Sequence, residues 1–179
     1  ALIDIVKQGK ALYVGISKYP PAQAKIAYEM LRAAGVPCLI SQYRYSMFDR
    51  TVEEKSLPLA AEQGSGFIAF SPLAQGLLTK KYLHGIPEHS RAARSTGFLK
   101  VDQVTEDKVG KARRLDEIAA RRGQTLAEMA LAWVLKDERM TSVIVGTSSV
   151  KQLADNLHAL DNLNFTNEEL AEIEGILRL

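Results

Sequence analysis

The stretch Ser142-Val-Ile-Val-Gly-Thr-Ser-Ser-Val-Lys-Gln-Leu-Ala-Asp-Asn156 changes its period at the glycine. Val143-Ile144-Val145 is a short β-branched run that suits a buried parallel strand. Beyond Gly146, the apolar residues Val150, Leu153, Ala154 and Leu157 recur at the spacing of a helix. Ser149 and Gln152 have capping-box spacing, so the helix begins here. A strand that runs through glycine into a helix leaves backbone N–H groups free beside the positive end of a helix dipole. Such a place suits an anion. Lys151, in the first turn, opposes that dipole. It is tolerable as a solvated lysine; alternatively it joins Ser148 and Ser149 around a phosphate, whose charge reverses the sign of the cost. The pattern leaves both readings open.

The alternation continues upstream. Leu2, Ile5 and Val6 form a helical stripe that stops at Gly9, the tail of a helix whose beginning is expected before Ala1. Residues 11–16 read as a strand, and Pro20-Pro21 opens a helix that stops near Gly35. Residues 38–40 read as a second strand, 42–50 as an irregular loop, and 52–63 as a helix weakened by Pro58. Residues 66–70 are the third strand. Residues 71–106 form a connection rich in Gly, Pro, Ser and Arg, long enough to be expected to act as a lid or binding loop. Two helices then flank Gly123. The second opens with the box Thr125–Glu128 and buries Leu126, Met129, Ala130, Trp133 and Val134. A last helix starts at Thr166 with a box to Glu169, and Phe165 is placed to staple against Leu170.

Four strand–helix alternations without a hairpin signal imply parallel βα units, either a doubly wound sheet or part of a (β/α) barrel. With 179 residues, a single domain over 1–179 is expected. A net charge of +2 predicts no general affinity for nucleic acid or anionic membrane. No apolar run approaches the roughly 20 residues of a membrane span, and no signal peptide is visible. One cysteine, Cys38, rules out a disulfide framework and favours a cytoplasmic setting. No metal site is expected.

In either architecture function gathers at the C-terminal ends of the strands. Here those ends are Gly15-Ile-Ser-Lys18, Ser41-Gln42, Phe70-Ser-Pro-Leu73 and Gly146-Thr-Ser-Ser149. In that order they resemble the second half of the aldo-keto reductase barrel, above all the bacterial reductases akin to voltage-gated potassium channel β-subunits. Gly9-Lys10 through Val14-Gly-Ile-Ser17 resembles the fifth strand, Gln42 and Tyr45 the sixth, and Ser71-Pro-Leu-Ala-Gln-Gly76 the seventh. Gly85-Ile-Pro-x-x-Ser-Arg91 resembles the loop over the cofactor. Val145-Gly-x-Ser-x-x-x-Gln-Leu-x-Asp-Asn156 resembles the eighth strand and the adenosine-phosphate site.

The resemblance implies the second half of a (β/α)8 TIM barrel, four parallel strands alternating with helices plus a C-terminal helix. It implies NADPH as cofactor and a small aldehyde or ketone as substrate. Ser17 and Gln42 would then hold the nicotinamide carboxamide, and Phe70 would lie against the ring. Ser71, Leu73 and nearby N–H groups would cradle the pyrophosphate, with charge from Lys81 and Arg91. Gly146 opens the adenosine site, where Ser148, Lys151 and Gln152 would surround the 2′-phosphate and Asp155 with Asn156 would meet the adenine. The loop 85–97 is expected to be mobile until the cofactor orders it. His89 takes a place where an aromatic is common, and as a lone loop histidine it is expected to be exposed.

Carbonyl reduction needs a proton donor. The family takes it from a tyrosine, with a lysine, an aspartate and a histidine, all in the first half of the barrel. No tyrosine or histidine here matches those motifs, so no catalytic residue is assigned and the chain alone is expected to be inactive. A non-catalytic NADP(H)-binding regulatory module like the channel β-subunit is the alternative, and a structural fragment a third. Both edge strands lack a proline or inward charge that would discourage pairing. The first half-barrel or a second copy of the chain, as a homo-oligomer, is therefore expected to complete the sheet.

Overall fold

The computed structural model describes residues 1–93 and 98–178. The last four residues of the loop 85–97, including Arg94, thus lie outside the described residues. Strands β1 (Val14–Ser17), β2 (Cys38–Arg44), β3 (Gly66–Phe70) and β4 (Met140–Ile144) form one four-stranded sheet in that spatial order. Every neighbouring pair is parallel. Helices α1 (Leu2–Lys7), α2 (Pro21–Ala33), α3 (Ser56–Glu62), α4 (Glu106–Arg121), α5 (Leu126–Leu135), α6 (Val150–Leu157) and α7 (Asn167–Arg178) alternate with the strands or follow them. The sheet does not close: β1 and β4 are its edges. This is the expected half-barrel architecture.

One face of the sheet is packed. Tyr43, Phe67 and Ala69 are buried with Leu115, Ile118, Met129 and Trp133 from α4 and α5. Tyr43 and Phe67 stack with ring centroids 5.1 Å apart. A second cluster sets Val14 and Ile16 of β1 against Ala24, Tyr28 and Leu31 of α2. Residues alternate across a strand, so the remaining positions face the other way. There the register builds two cross-strand rows, Ser17–Gln42–Ile68–Ser142 and Arg44–Phe70–Ile144. Gln42, Ile68 and Phe70 are only half-buried, and Ser17, Arg44 and Ser142 are exposed.

Several boundaries differ from the sequence reading, each for a local reason. β1 begins at Val14, because only there does it find Cys38 as a partner; Leu12 and Tyr13 are exposed. β2 runs on to Arg44, since Gln42, Tyr43 and Arg44 pair with Ile68, Ala69 and Phe70, so the irregular loop starts later. Pro58 does not weaken α3; it sits in the first turn, where its missing N–H is not needed. β4 is Met140–Ile144, set earlier than expected, and Val145 has left it. The boxes Thr125–Glu128 and Thr166–Glu169 both form, with reciprocal bonds of 2.7 and 3.2 Å in the first and 2.8 and 3.2 Å in the second.

The outer helices leave apolar side chains uncovered. On α6 and the turn after it, Val150 (86% exposed), Leu153, Leu157 and Leu160 make one stripe. At the opposite flank Leu2, Ile5, Ile26 and Met30 are exposed.

Each outer strand pair slips by one residue, at Leu39 in β2 and at Thr141 in β4, where the Phe67 N–H donates to Thr141 Oγ1 at 3.1 Å. Such slips bend and twist a sheet. Gly15 is the tight point of the first: a Cβ there would lie 2.6 Å from the Ile40 carbonyl oxygen and 2.8 Å from its Cγ2. Gly15→Ala must push β1 away from β2. It is expected to destabilise the fold by about 1–3 kcal/mol and to lower Tm by roughly 3–10 °C in a thermal melt.

Candidate functional site

All four strands end at the same edge, and the backbone is strained there. Lys18 after β1 (φ +59°) and Ser71 after β3 (φ +55°) adopt left-handed conformations, as do Ala74 (φ +48°) and Gln75 (φ +63°) in the next turn. For residues with a side chain this costs about 1–3 kcal/mol each, and it persists only where the surroundings impose it. After Ser71 the chain folds back on itself, with the N–H of Ala74 donating to the Ser71 carbonyl (2.9 Å) and that of Gly76 to the Leu73 carbonyl (2.8 Å). The N–H groups of Leu77 and Leu78 are also used inside this turn. The cradle expected from backbone donors therefore has fewer of them to offer than its length suggests.

This turn faces the end of β4 across a cleft of about 580 Å³. Seven of the residues proposed from sequence line it together: Ser71, Leu73, Lys81, Arg91, Gly146, Ser148 and Gln152. No residue lining the cleft is acidic. Lys81 and Arg91 have no carboxylate partner among the described residues. Arg91 reaches across to the far wall, its Nη2 lying 3.8 Å from where a Cβ on Gly146 would stand. The cleft is thus a positive pocket without internal compensation.

Its β4 wall carries the helix start read from the sequence. Ser149 caps α6, its Oγ accepting from the Gln152 N–H at 3.1 Å. The box is not reciprocal, however. The Gln152 side chain turns instead to Ser148, where Oε1 accepts from the N–H at 2.9 Å and from Oγ–H at 3.1 Å. Two donors converging on one oxygen form a small acceptor site, which a phosphate oxygen would suit as well as the amide does.

Other proposed residues lie elsewhere. Phe70 is the last residue of β3, beside Ser71, on the open face. Ser17 and Gln42 pair across β1 and β2, and the Lys18 N–H donates to the Gln42 carbonyl at 3.0 Å. Lys151 and Asp155 bond each other on the exposed side of α6, at 2.8 and 2.9 Å, outside the cleft lining. Asn156 is buried, and its Nδ2 has no hydrogen-bond partner among the described residues. An orphaned buried amide is costly, and this one lies near the C-terminal end of α6, outside the cleft lining.

The cleft includes side chains that the sequence reading left out. Gln75, Thr79 and Thr147 line it, and so does His89, which is exposed as expected. Thr79 holds the turn, donating to the Gly76 carbonyl at 2.7 Å. The Ser-Pro-Leu-Ala-Gln-Gly stretch was a signal for Gln75; nothing nearby marked Thr79. No tyrosine is among the described residues that line the cleft. Tyr43 donates to the Tyr19 carbonyl (2.8 Å) and Tyr45 to Glu53 (2.8 Å). Burial pushes the Tyr43 hydroxyl up to about 12, a weaker acid than an ordinary tyrosine.

The sequence profile of the Aldo/keto reductase family matches residues 1–178. The chain belongs to the aldo/keto reductase family. Two curated proteins named L-glyceraldehyde 3-phosphate reductase are similar to it. The one from Escherichia coli O157:H7 is 48% identical over 178 residues, and the one from Escherichia coli strain K12 is 46% identical over 178 residues. Each match covers 97% of this chain and 51% of the relative, so the chain spans about half the length of the curated relatives it matches. In this aldo/keto reductase chain the cleft lies at the C-terminal strand edge, and among the described residues no helix is long and apolar enough to cross a membrane.

The cap on α6 can be tested directly. Ser149→Ala removes the bond to the Gln152 N–H, worth about 1 kcal/mol. The Gln152 and Leu153 amides are expected to exchange hydrogen about fivefold faster, with little change in β3. Unchanged exchange at both would show that the helix start does not depend on Ser149.

Proposed function

We propose that this chain is the NADPH-binding half of a reductase that converts aldehydes or ketones to alcohols. The observation that carries this reading is the cleft of Lys81, Arg91, the Ser71 turn and the Ser148 donors, positive throughout and without an acidic lining residue. The groups present fit the cofactor. Lys81 and Arg91 meet the charge of a pyrophosphate, while Ser71 and Leu73 form the wall of the turn beside it. At the start of α6 the Ser148 N–H and hydroxyl, which here donate to Gln152 Oε1, would donate to a phosphate oxygen, and Asn156 near the other end of the helix has an amide nitrogen without a partner among the described residues. Lys151 would exchange Asp155 for a 2′-phosphate. Ser17 and Gln42 present a hydroxyl and an amide side by side, suited to orienting a carboxamide, and Phe70 offers a flat apolar surface in the next row of the same face. When bound, the dinucleotide supplies a hydride to a carbonyl carbon.

The proton for the product alcohol comes from elsewhere in this reading, because no tyrosine lines the cleft among the described residues. In this reading a further half-barrel, or a second copy, covers the open face and contributes the acid. The lone buried thiol of Cys38 suits a cytoplasmic setting. The relatives' names make small phosphorylated aldehydes the first substrates to try.

Titration of NADPH fluorescence tests binding, and aldehyde-dependent loss of NADPH absorbance in the complete protein separates a reductase from a non-catalytic nucleotide-binding module. Arg91→Ala removes a charge-assisted contact worth about 1.5–3 kcal/mol and is expected to weaken NADPH binding by roughly tenfold to a hundredfold. Lys151→Ala is expected to weaken NADPH by a similar factor and NADH hardly at all. Equal losses for both cofactors would remove Lys151 from the 2′-phosphate.

A further inference from the structure

Arg44 is the last residue of β2, and its place in the sheet is unusual for a cation. Tyr43, just before it, is buried among the helices, so strand alternation turns Arg44 to the open face together with Gln42. It stands about 7 Å beyond Gln42 along the strand. Its row continues through Phe70 to Ile144, and Ile144 is itself a wall of the cleft. Two strand spacings put the Arg44 and Ile144 backbones roughly 10 Å apart.

The guanidinium is paired on one side only. Asp49 Oδ2 lies 3.3 Å from Nε, and Asp49 is itself held by the Thr51 hydroxyl at 3.0 Å. The arginine side chain remains 53% exposed. Its terminal nitrogens have no other carboxylate or carbonyl partner among the described residues. That leaves the planar fork, which matches phosphate in two-point contact, accessible at the end of a row that continues through Phe70 and Ile144. Lys81 and Arg91 stand in the cleft beyond Ile144 to meet the phosphates of the cofactor, so Arg44 is not needed for them.

We propose that Arg44 binds the phosphate of a small phosphorylated aldehyde and selects it over neutral aldehydes of the same length. This rests on the reading of the chain as half of a carbonyl reductase. The test uses the complete reductase and compares glyceraldehyde 3-phosphate with glyceraldehyde. Arg44→Gln is expected to lower the ratio of their kcat/KM values by roughly tenfold to a hundredfold, and Arg44→Lys to keep part of it. Binding of glycerol 3-phosphate at saturating NADP+, where no hydride moves, should weaken in Arg44→Gln by the same factor. An unchanged ratio with unchanged glycerol 3-phosphate affinity overturns the assignment. So does wild-type protein that binds glycerol 3-phosphate no tighter than glycerol, a result independent of how any variant folds. A complete protein that oxidises no NADPH with either aldehyde removes the reductase reading itself, and this inference with it.

Discussion

Parallel pairing is the condition on which the rest of this chain depends. Each strand must return through a helix before the next can pair, so every strand ends at the same edge. There the chain leaves hydrogen-bonded sheet and has not yet entered hydrogen-bonded helix. Unused donors, left-handed residues and helix starts therefore collect in one place. Lys18, Ser71, Ala74 and Gln75 are the non-glycine residues with positive φ among those described, and all lie at or just beyond this edge.

Charge is divided by the same geometry. Lys80 and Lys81 are neighbours in one 3₁₀ turn, yet Lys80 pairs with Asp116 of α4 while Lys81 lines the cleft. On the helical side cations are bonded into the frame. Arg122, whose side chain is 2% exposed, bonds Glu169, Gln124 and the Asn164 carbonyl, tying α4 and α5 to the start of α7. Arg50 joins Glu53 to Glu174 of α7 and lies over the Trp133 ring. Buried cations with partners fix position; open cations without them attract ligands.

The architecture was legible because periodicity reports which face of an element is buried. The strand 66–70 and the boxes at Thr125 and Thr166 were read as they form. Boundaries at β1, β2 and β4 were not, since a strand extends only as far as its neighbour does, and that neighbour is remote in sequence. Residues of the cleft on Gly-rich turns, Gln75 among them, stood out locally, whereas Thr79 enters the cleft only because of how the turn folds back. Gln152 shows the limit of spacing: three residues from Ser149, it still chose Ser148, because the converging N–H and O–H there offered two donors. Lys151 was open between solvent and phosphate, and i,i+4 geometry supplied Asp155 as a third answer.

The uncovered stripe on α6 makes one wall of the cleft adjustable. Val150 and Leu157 are more than half exposed and Leu153 is 43% exposed, so the helix that carries Ser148 and Gln152 at its start leaves much of its apolar stripe unpacked. Whatever covers that stripe steadies the donors, and whatever engages the donors steadies the stripe. The two events share one free energy of coupling, and by thermodynamic reciprocity each strengthens the other by the same factor. A partner seated on the stripe and a ligand seated in the cleft would then bind cooperatively, although neither need touch the other.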